Sequence, residues 1–193
     1  DHPDIEDFIW CKAKEEDKAR ALRDAGFDMS IDGDGFTSIQ YQNANNSVRV
    51  SDDFMQAVEN GDSWWTTARK DGSKVKQYDA RELMQQISDA AWRCADPGVQ
   101  YDTVINRWHT SPNSGRINAS NPCSEYMHVD DSACNLASLN LMKFRRKDGT
   151  FDVTQFERAI DIVLLAQEIV VTPSSYPTEK IGANARAFRQ LGL

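Results

Sequence analysis

Apolar residues recur at helical spacing in five stretches of the chain. The first opens at His2-Pro3-Asp4 and runs to about Ala25, with Ile5, Phe8 and Ile9 as its apolar stripe. Pro3 and the acids Asp4, Glu6 and Asp7 suit a helix N-terminus, and Gly26 is the stop. The charged half from Lys12 to Asp24 reads as a solvated face. Asp52 to Glu59 predicts a short helix offering Phe54, Met55 and Val58 to the core. Asp79-Ala80-Arg81-Glu82 has the form of a capping box. It starts a helix to about Ala95 with Leu83, Ile87, Ala90, Ala91 and Cys94 on one face, ended by Asp96-Pro97-Gly98. On that face Cys94 is expected to be a small buried hydrophobe. The strongest pattern begins at the Asp152/Gln155 cap pair and reaches about Val171, carrying Phe156, Ile160, Val163, Leu164 and Ile169. Its apolar fraction predicts a core helix, and Thr172-Pro173 stops it. Pro177-Thr178-Glu179 opens a last helix through Arg186 to Gln190.

Strand signals are shorter. Ser47 to Val50 (SVRV) predicts one strand, and Trp64-Trp65 to Tyr78 predicts an irregular hairpin turning at Asp71-Gly72-Ser73. Tyr101 to Trp108 fits strand or helix, His109 to Gly115 is loop, and Arg116 to Ala119 suits a short strand. Residues 27–43 hold Asp28, Asp32, Gly33, Asp34 and Gly35 and read as a flexible loop. Asp32-Gly33-Asp34-Gly35 resembles part of a calcium loop, but DxDxDG with Glu at the twelfth position is missing. Arg145 to Gly149 is a charged turn. Without repeats or a linker, the pattern describes one mixed α/β domain or part of one.

Composition narrows the function classes. The chain has 193 residues, 40% of them hydrophobic, and a formal net charge of −8. It lacks the basic footprint of non-specific nucleic-acid binding. No run of about 18 apolar residues predicts a membrane span, and no signal peptide opens the chain. Asp1 and Leu193 read as cut ends, so an internal piece of a longer protein is expected. Four cysteines (Cys11, Cys94, Cys123, Cys134) without a secretory signal and without a CxxC pair favour reduced thiols in the cytoplasm over disulfides or structural zinc.

Chemistry concentrates in Ser120 to Leu141, SNPCSEYMHVDDSACNLASLNL. If Asn121-Pro122-Cys123-Ser124-Glu125 is extended, alternation puts Asn121, Cys123 and Glu125 on one side. A carboxamide can orient a hydroxyl, a carboxylate can take a proton, and a thiol can be a nucleophile or, oxidised by one electron, a hydrogen-atom abstractor. A thiolate nucleophile needs a cationic neighbour, whereas Cys123 has an acid two residues away. The residues therefore suit radical chemistry better than thiolate attack. Two alternatives stay open: a polar turn with a buried cysteine, and a metal or ligand site using Cys123, His128 and Cys134, whose spacing matches no common pattern.

Asn121-Pro122-Cys123-Ser124-Glu125 followed by Ser132-Ala133-Cys134-Asn135-Leu136-Ala137-Ser138-Leu139-Asn140-Leu141 resembles the active-site segment of ribonucleotide reductases, and more closely that of the adenosylcobalamin-dependent class II enzymes. The resemblance extends to His2-Pro3-Asp4-Ile5, to Ser47 through Met55 and to Asn184 through Leu193. It implies a ten-stranded α/β barrel with a finger loop carrying Cys123 at its tip, residues 1–193 being the central portion. It also implies reduction of ribonucleotides, diphosphates favoured, to deoxyribonucleotides for DNA synthesis. Adenosylcobalamin would be the cofactor, with no resident metal site built from this chain's side chains. Cys123 would be the thiyl, Glu125 the base on the 3′ hydroxyl, Asn121 and Ser120 substrate contacts, and Cys134 one of two reducing thiols. Cys11 and Cys94 do not occupy the position of the other reducing thiol, so the piece alone is expected to be inactive. Asp28 to Asn46, with Asp28, Gly33, Gly35, Gln42 and Asn43, lies where the family has its specificity loop. Deoxynucleotide or ATP effectors, a thioredoxin-type reductant and a homodimer of the full-length protein complete the implied partners, with neither nucleic acid nor membrane. The alternative within the same family is the class I catalytic subunit, which shares the barrel but receives its radical from another subunit.

Overall fold

A computed structural model describes all residues 1–193 and divides them into two compact units. The first holds residues 1–113 and 120–127. It begins with α1 (Ile5–Asp24), α2 (Asp34–Thr37), β1 (Ser47–Val50) and α3 (Asp52–Asn60). The hairpin β2 (Ser63–Thr67) and β3 (Lys74–Asp79) follows, then α4 (Ala80–Cys94), β4 (Gly98–Tyr101) and α5 (Asp102–Arg107). Ile5, Ile9 and Ala13 are four residues apart, so they share one face of α1. With Leu83, Ile87 and Ala90 of α4, Val48 and Val50 of β1 and Phe54 of α3, Ile5 and Ile9 form the core. Phe8 is partly outside it, at 39% exposure. Asp79 caps α4 by accepting from the N–H groups of Arg81 and Glu82 (2.8 and 3.1 Å), and Ser51 caps α3 through the N–H of Phe54. Ala95 in the left-handed region ends α4. Cys94 is half-buried rather than a core residue, because its thiol donates to the carbonyls of Ala90 and Asp96 at the helix end.

The hairpin has the predicted irregularity, a register shift between Trp65 and Thr67. The stretch from residue 98 that fitted either strand or helix is both, β4 followed by α5. β1 and β4 pair in parallel, with Arg49 opposite Gln100. The segment 27–46 is more ordered than its turn formers suggest. It contains α2, and α1 grips it: Glu15 accepts from Gln40 N–H (2.7 Å), Lys18 donates to the Ser38 carbonyl (2.6 Å), and Lys12 reaches both the Ala44 carbonyl and Asp96. The bond from Gln40 holds the Glu15 carboxyl below the ordinary glutamate range. A Cβ on Gly33 would lie 2.4 Å from the Asp28 carbonyl oxygen, so only glycine fits there.

The two-residue strands β5 (Ala119–Ser120) and β6 (Met127–His128) pair with each other and frame the Cys123 segment. The second unit holds residues 114–119 and 128–193. Its elements are β7 (Cys134–Leu136), α6 (Val153–Val171), α7 (Glu179–Phe188) and β8 (Gln190–Gly192). β7 and β8 pair in parallel, Cys134 opposite Gln190 and Leu136 opposite Gly192. Gln167 of α6 is buried and donates to the carbonyls of Asn135 and Gly192 (3.0 and 2.8 Å), joining helix and strands. Phe144, Phe151 and Phe156 pack as edge-on or tilted pairs 5.2–6.0 Å apart beside the start of α6. The core-helix expectation for α6 is corrected here. Only Gln167 and Val171 are buried, while Ile162, Leu165 and Ile169 are about three-fifths exposed (58%, 61% and 60%). One face meets β7, β8 and the turn at Leu141–Phe144, and the apolar residues elsewhere on the helix are left uncovered. All strands occur as two-stranded pairings, and no closed barrel is formed by these residues.

Candidate active site

Asn121 to Ser124 form a tight turn, not an extended segment. Ser124 N–H donates to the Asn121 carbonyl (3.1 Å), Asn121 N–H donates to the Tyr126 carbonyl (3.3 Å), and the Asn121 Oδ1 accepts from Tyr126 N–H (2.9 Å). Pro122 presets φ for the first central position of such a turn, and Asn suits the position before it. Ser124 sits at φ +65°, a left-handed conformation that costs a non-glycine residue about 1–2 kcal/mol and persists only where the surroundings enforce it. The alternation that would align Asn121, Cys123 and Glu125 is therefore absent. The turn instead projects Cys123 and Glu125 into solvent and holds Asn121 half-buried, its side-chain oxygen committed to the turn and its Nδ2 uncommitted. The Asn-Pro dipeptide was the sequence signal for this geometry.

A polar network fixes the turn from below. Gln100, buried at 7% exposure in β4, donates from Nε2 to Ser120 Oγ (2.8 Å) and Ser124 Oγ (2.7 Å). Its Oε1 accepts from Arg49 (3.0 Å), and Arg49 pairs with Asp102 at 2.8 Å, both partners largely shielded. Arginine can only donate, so the amide oxygen must face Arg49 and the amide hydrogens must face the two serines. The Ser120 hydroxyl in turn donates to the Asn121 carbonyl (2.7 Å). Ser120 thus supports the turn from within. The one side chain bonded to the Cys123 sulfur is Asn45, whose amide nitrogen lies 3.6 Å away. No cation accompanies Cys123 to favour its thiolate. Sequence reasoning missed Gln100, Arg49 and Asn45. A polar residue in the otherwise short apolar β4 was the available hint for Gln100; nothing local marked Asn45.

Cys134 lies in the second unit, half-buried on β7, its sulfur 3.6 Å from the Asn135 carbonyl and beside Gly192. None of the four cysteines is in a disulfide. His128 is buried, stacked edge-on against Phe188 (4.7 Å) with Nε2 3.3 Å from Gln190. Those contacts engage the imidazole as a packing residue, and no cluster of three or more His, Cys, Asp or Glu side chains is arranged to hold a metal ion. Asp28, Gly33 and Gly35 pack on one another at the start of the 27–46 segment, whereas Gln42 and Asn43 are exposed. A cleft of about 420 Å³ bordered by His2, Phe8, Val48 and Arg49 among others is lined by none of the Cys123 turn.

A cysteine at the tip of a tight turn between two short strands, with the Asn-x-Cys-x-Glu series around it and a second cysteine strand-bound downstream, defines a class. The family model described as ribonucleotide reductase, barrel domain, matches residues 1–193, and the chain belongs to that family. It is 60% identical over 197 aligned residues to the vitamin B12-dependent ribonucleotide reductase of Streptomyces clavuligerus, covering all of this chain and 20% of that protein. The protein of the same name from Rhodopirellula baltica is 54% identical over 195 residues, again across the whole chain and 19% of the relative. The vitamin B12-dependent ribonucleoside-diphosphate reductase of Mycobacterium tuberculosis is 32% identical over 192 residues, covering 24% of that protein. The chain spans about a fifth of the length of the curated relatives it matches.

Proposed function

We propose that the protein containing this chain reduces ribonucleotides to 2′-deoxyribonucleotides by a thiyl radical on Cys123, with adenosylcobalamin as cofactor. The observation that carries this is Cys123 itself: an exposed thiol on a braced turn, touched by a neutral amide, in a chain 60% identical to a reductase named for vitamin B12. Cys123 fits a radical delivered from a bound cofactor, because its sulfur is accessible and lacks the cationic neighbour of a thiolate nucleophile. Homolysis of the cobalt–carbon bond is the chemistry adenosylcobalamin supplies when bound.

The chain's residues then divide the work. Cys123, having lost its S–H hydrogen, takes the 3′ hydrogen of the ribose, so a C–H bond breaks and an S–H bond forms. Glu125, exposed two residues away, accepts the proton of the 3′ hydroxyl and gives it back when the 3′ hydroxyl re-forms, while the 2′ hydroxyl leaves as water with one of the protons that the reducing thiols supply. Asn121 Nδ2 and the Ser120 region orient the ribose. Cys134 and a second thiol beyond this chain supply two electrons and two protons and end as a disulfide. Cys123 returns its hydrogen to C3′. The diphosphate is the favoured substrate, as in the name of the Mycobacterium tuberculosis relative. We further propose that residues 1–193 are the central part of a ten-stranded α/β barrel, with the Cys123 turn as the tip of its finger. Effector nucleotides, a thioredoxin-type reductant, a homodimer and a cytoplasmic location belong to the same proposal. A specificity-loop role for residues 28–46 has one contact in its favour, Asn45 on Cys123, and the clamping by α1 against it.

The test is reduction of ribonucleoside diphosphates by the full-length protein with and without adenosylcobalamin. Deoxynucleotide formation only with the cofactor is expected. Equal turnover without it would replace this proposal with a class I catalytic chain, whose radical comes from a partner subunit.

A further inference from the structure

We propose that Gln100 is a positioning residue for Cys123, acting through the hydroxyls of Ser120 and Ser124; this rests on the reductase role proposed for Cys123. Three observations meet here. First, Gln100 is a buried amide inside a strand, and a buried amide left without partners is costly, so its presence needs a function for its hydrogen bonds. Second, every polar atom of that side chain is used: the oxygen on Arg49, the nitrogen on both serines, which lie immediately before and after Asn121-Pro122-Cys123. Third, Ser124 is held at φ +65°, and its hydroxyl is reached from Gln100 Nε2 at 2.7 Å and, at a longer 3.4 Å, from the Ser120 hydroxyl that Gln100 also holds.

The chain of contacts is directional. Asp102 fixes Arg49 by a shielded ion pair, and Arg49 fixes which end of the Gln100 amide faces the turn. The two amide hydrogens then hold the turn's two ends. The parallel register of β1 and β4, with Arg49 opposite Gln100, builds the array into the backbone. Hydrogen abstraction is steep in distance, since about 1 Å of misplacement can cost on the order of 100-fold in rate. A cysteine at the tip of an exposed turn needs such support, and none of these side chains needs to touch substrate.

The test uses the full-length protein. In its cofactor-free form, alkylation of each cysteine by iodoacetamide is followed by mass spectrometry, with Cys11 and Cys94 as internal references. Gln100→Ala is expected to change the Cys123 rate by about threefold or more with the references unmoved, as loss of two hydrogen bonds frees the turn. In the adenosylcobalamin-dependent assay kcat should fall about tenfold or more while KM stays within about twofold. Ser124→Ala, which leaves the buried amide and its arginine in place, should move both readouts the same way by less, and serves where Gln100→Ala does not accumulate. An unmoved Cys123 rate in both variants overturns the proposal, as does an unchanged kcat. A rise of Cys11 and Cys94 together with Cys123 overturns it too, because it would make Gln100 a general folding residue. If the unsubstituted protein reduces no ribonucleotide, the reductase role fails, and the alkylation readout still decides whether Gln100 holds Cys123.

Discussion

At the scale of single residues the site combines reactive groups and groups that hold them. Asn121, Cys123, Glu125 and Cys134 could be singled out in the sequence because the chemistry proposed for them is local in the chain. Their supports could not: Gln100 and Arg49 are 51 residues apart and meet only through strand pairing. Asn45 is 78 residues from the thiol it touches. The role proposed for Cys134 is separable from the one proposed for Cys123. Cys134→Ser in the full-length enzyme should permit loss of the 3′ hydrogen and about one product per active site, with steady-state turnover absent; rapid-quench product counting measures this. A second residue-scale prediction concerns Glu6. Hydrogen bonds from Lys76 and Tyr78 hold its carboxyl below the ordinary glutamate range. Its stabilising effect is therefore complete above about pH 4.3, the ordinary glutamate value, and is lost as pH falls through the lowered one. Hydrogen exchange in β3 should be faster in Glu6→Gln than in the unsubstituted protein at pH 7, and the difference should vanish toward pH 3.

At the scale of elements, capping residues and apolar spacing carried most of the information. Asp79, Ser51, Asp152 and Thr178 each cap the helix they precede, and α1 and α4 bury the stripes their spacing describes apart from Phe8, Ala91 and Cys94. Ile87→Ala should cost about 2–5 kcal/mol, since Ile87 is 2% exposed in the middle of that contact. Denaturant unfolding of the unit containing α4, followed by exchange of its amides, measures the loss. Other features were read only in part or not at all. β8 is three residues long and its partner β7 begins 56 residues earlier, a pairing that no local pattern encodes. The Asn121–Ser124 turn was one of the readings left open beside the alternation of functional residue types, and Asn-Pro was its signal; the buried cysteine of that reading is instead exposed. α6 has a high apolar fraction, which reads as a core helix, whereas side-chain contact covers only part of its circumference. At the β7–β8 pairing, a Cβ on Gly192 would meet Leu136 at 2.4 Å. Because the atom met is the far end of the exposed Leu136 side chain, Gly192→Ala should be absorbed by a change of Leu136 rotamer that leaves the strand pairing beside Cys134 intact, and the alkylation rate of that thiol in the full-length protein should stay within about twofold.

At the scale of the whole molecule, the family was legible from the spacing of two cysteines within a distinctive run, and the family match over residues 1–193 agrees with it. Barrel closure was not legible in residues 1–193, whose strands pair only two by two. The central claim is that Cys123 is the hydrogen-abstracting atom. Ribonucleotide reduction by the full-length Cys123→Ser protein, saturated with adenosylcobalamin and reductant, tests it most directly. An O–H bond is too strong to be made into an equivalent radical, so the account predicts that deoxynucleotide formation falls to background while substrate still binds. Turnover within about tenfold of the unsubstituted enzyme, a difference near 1.4 kcal/mol in barrier, would contradict it.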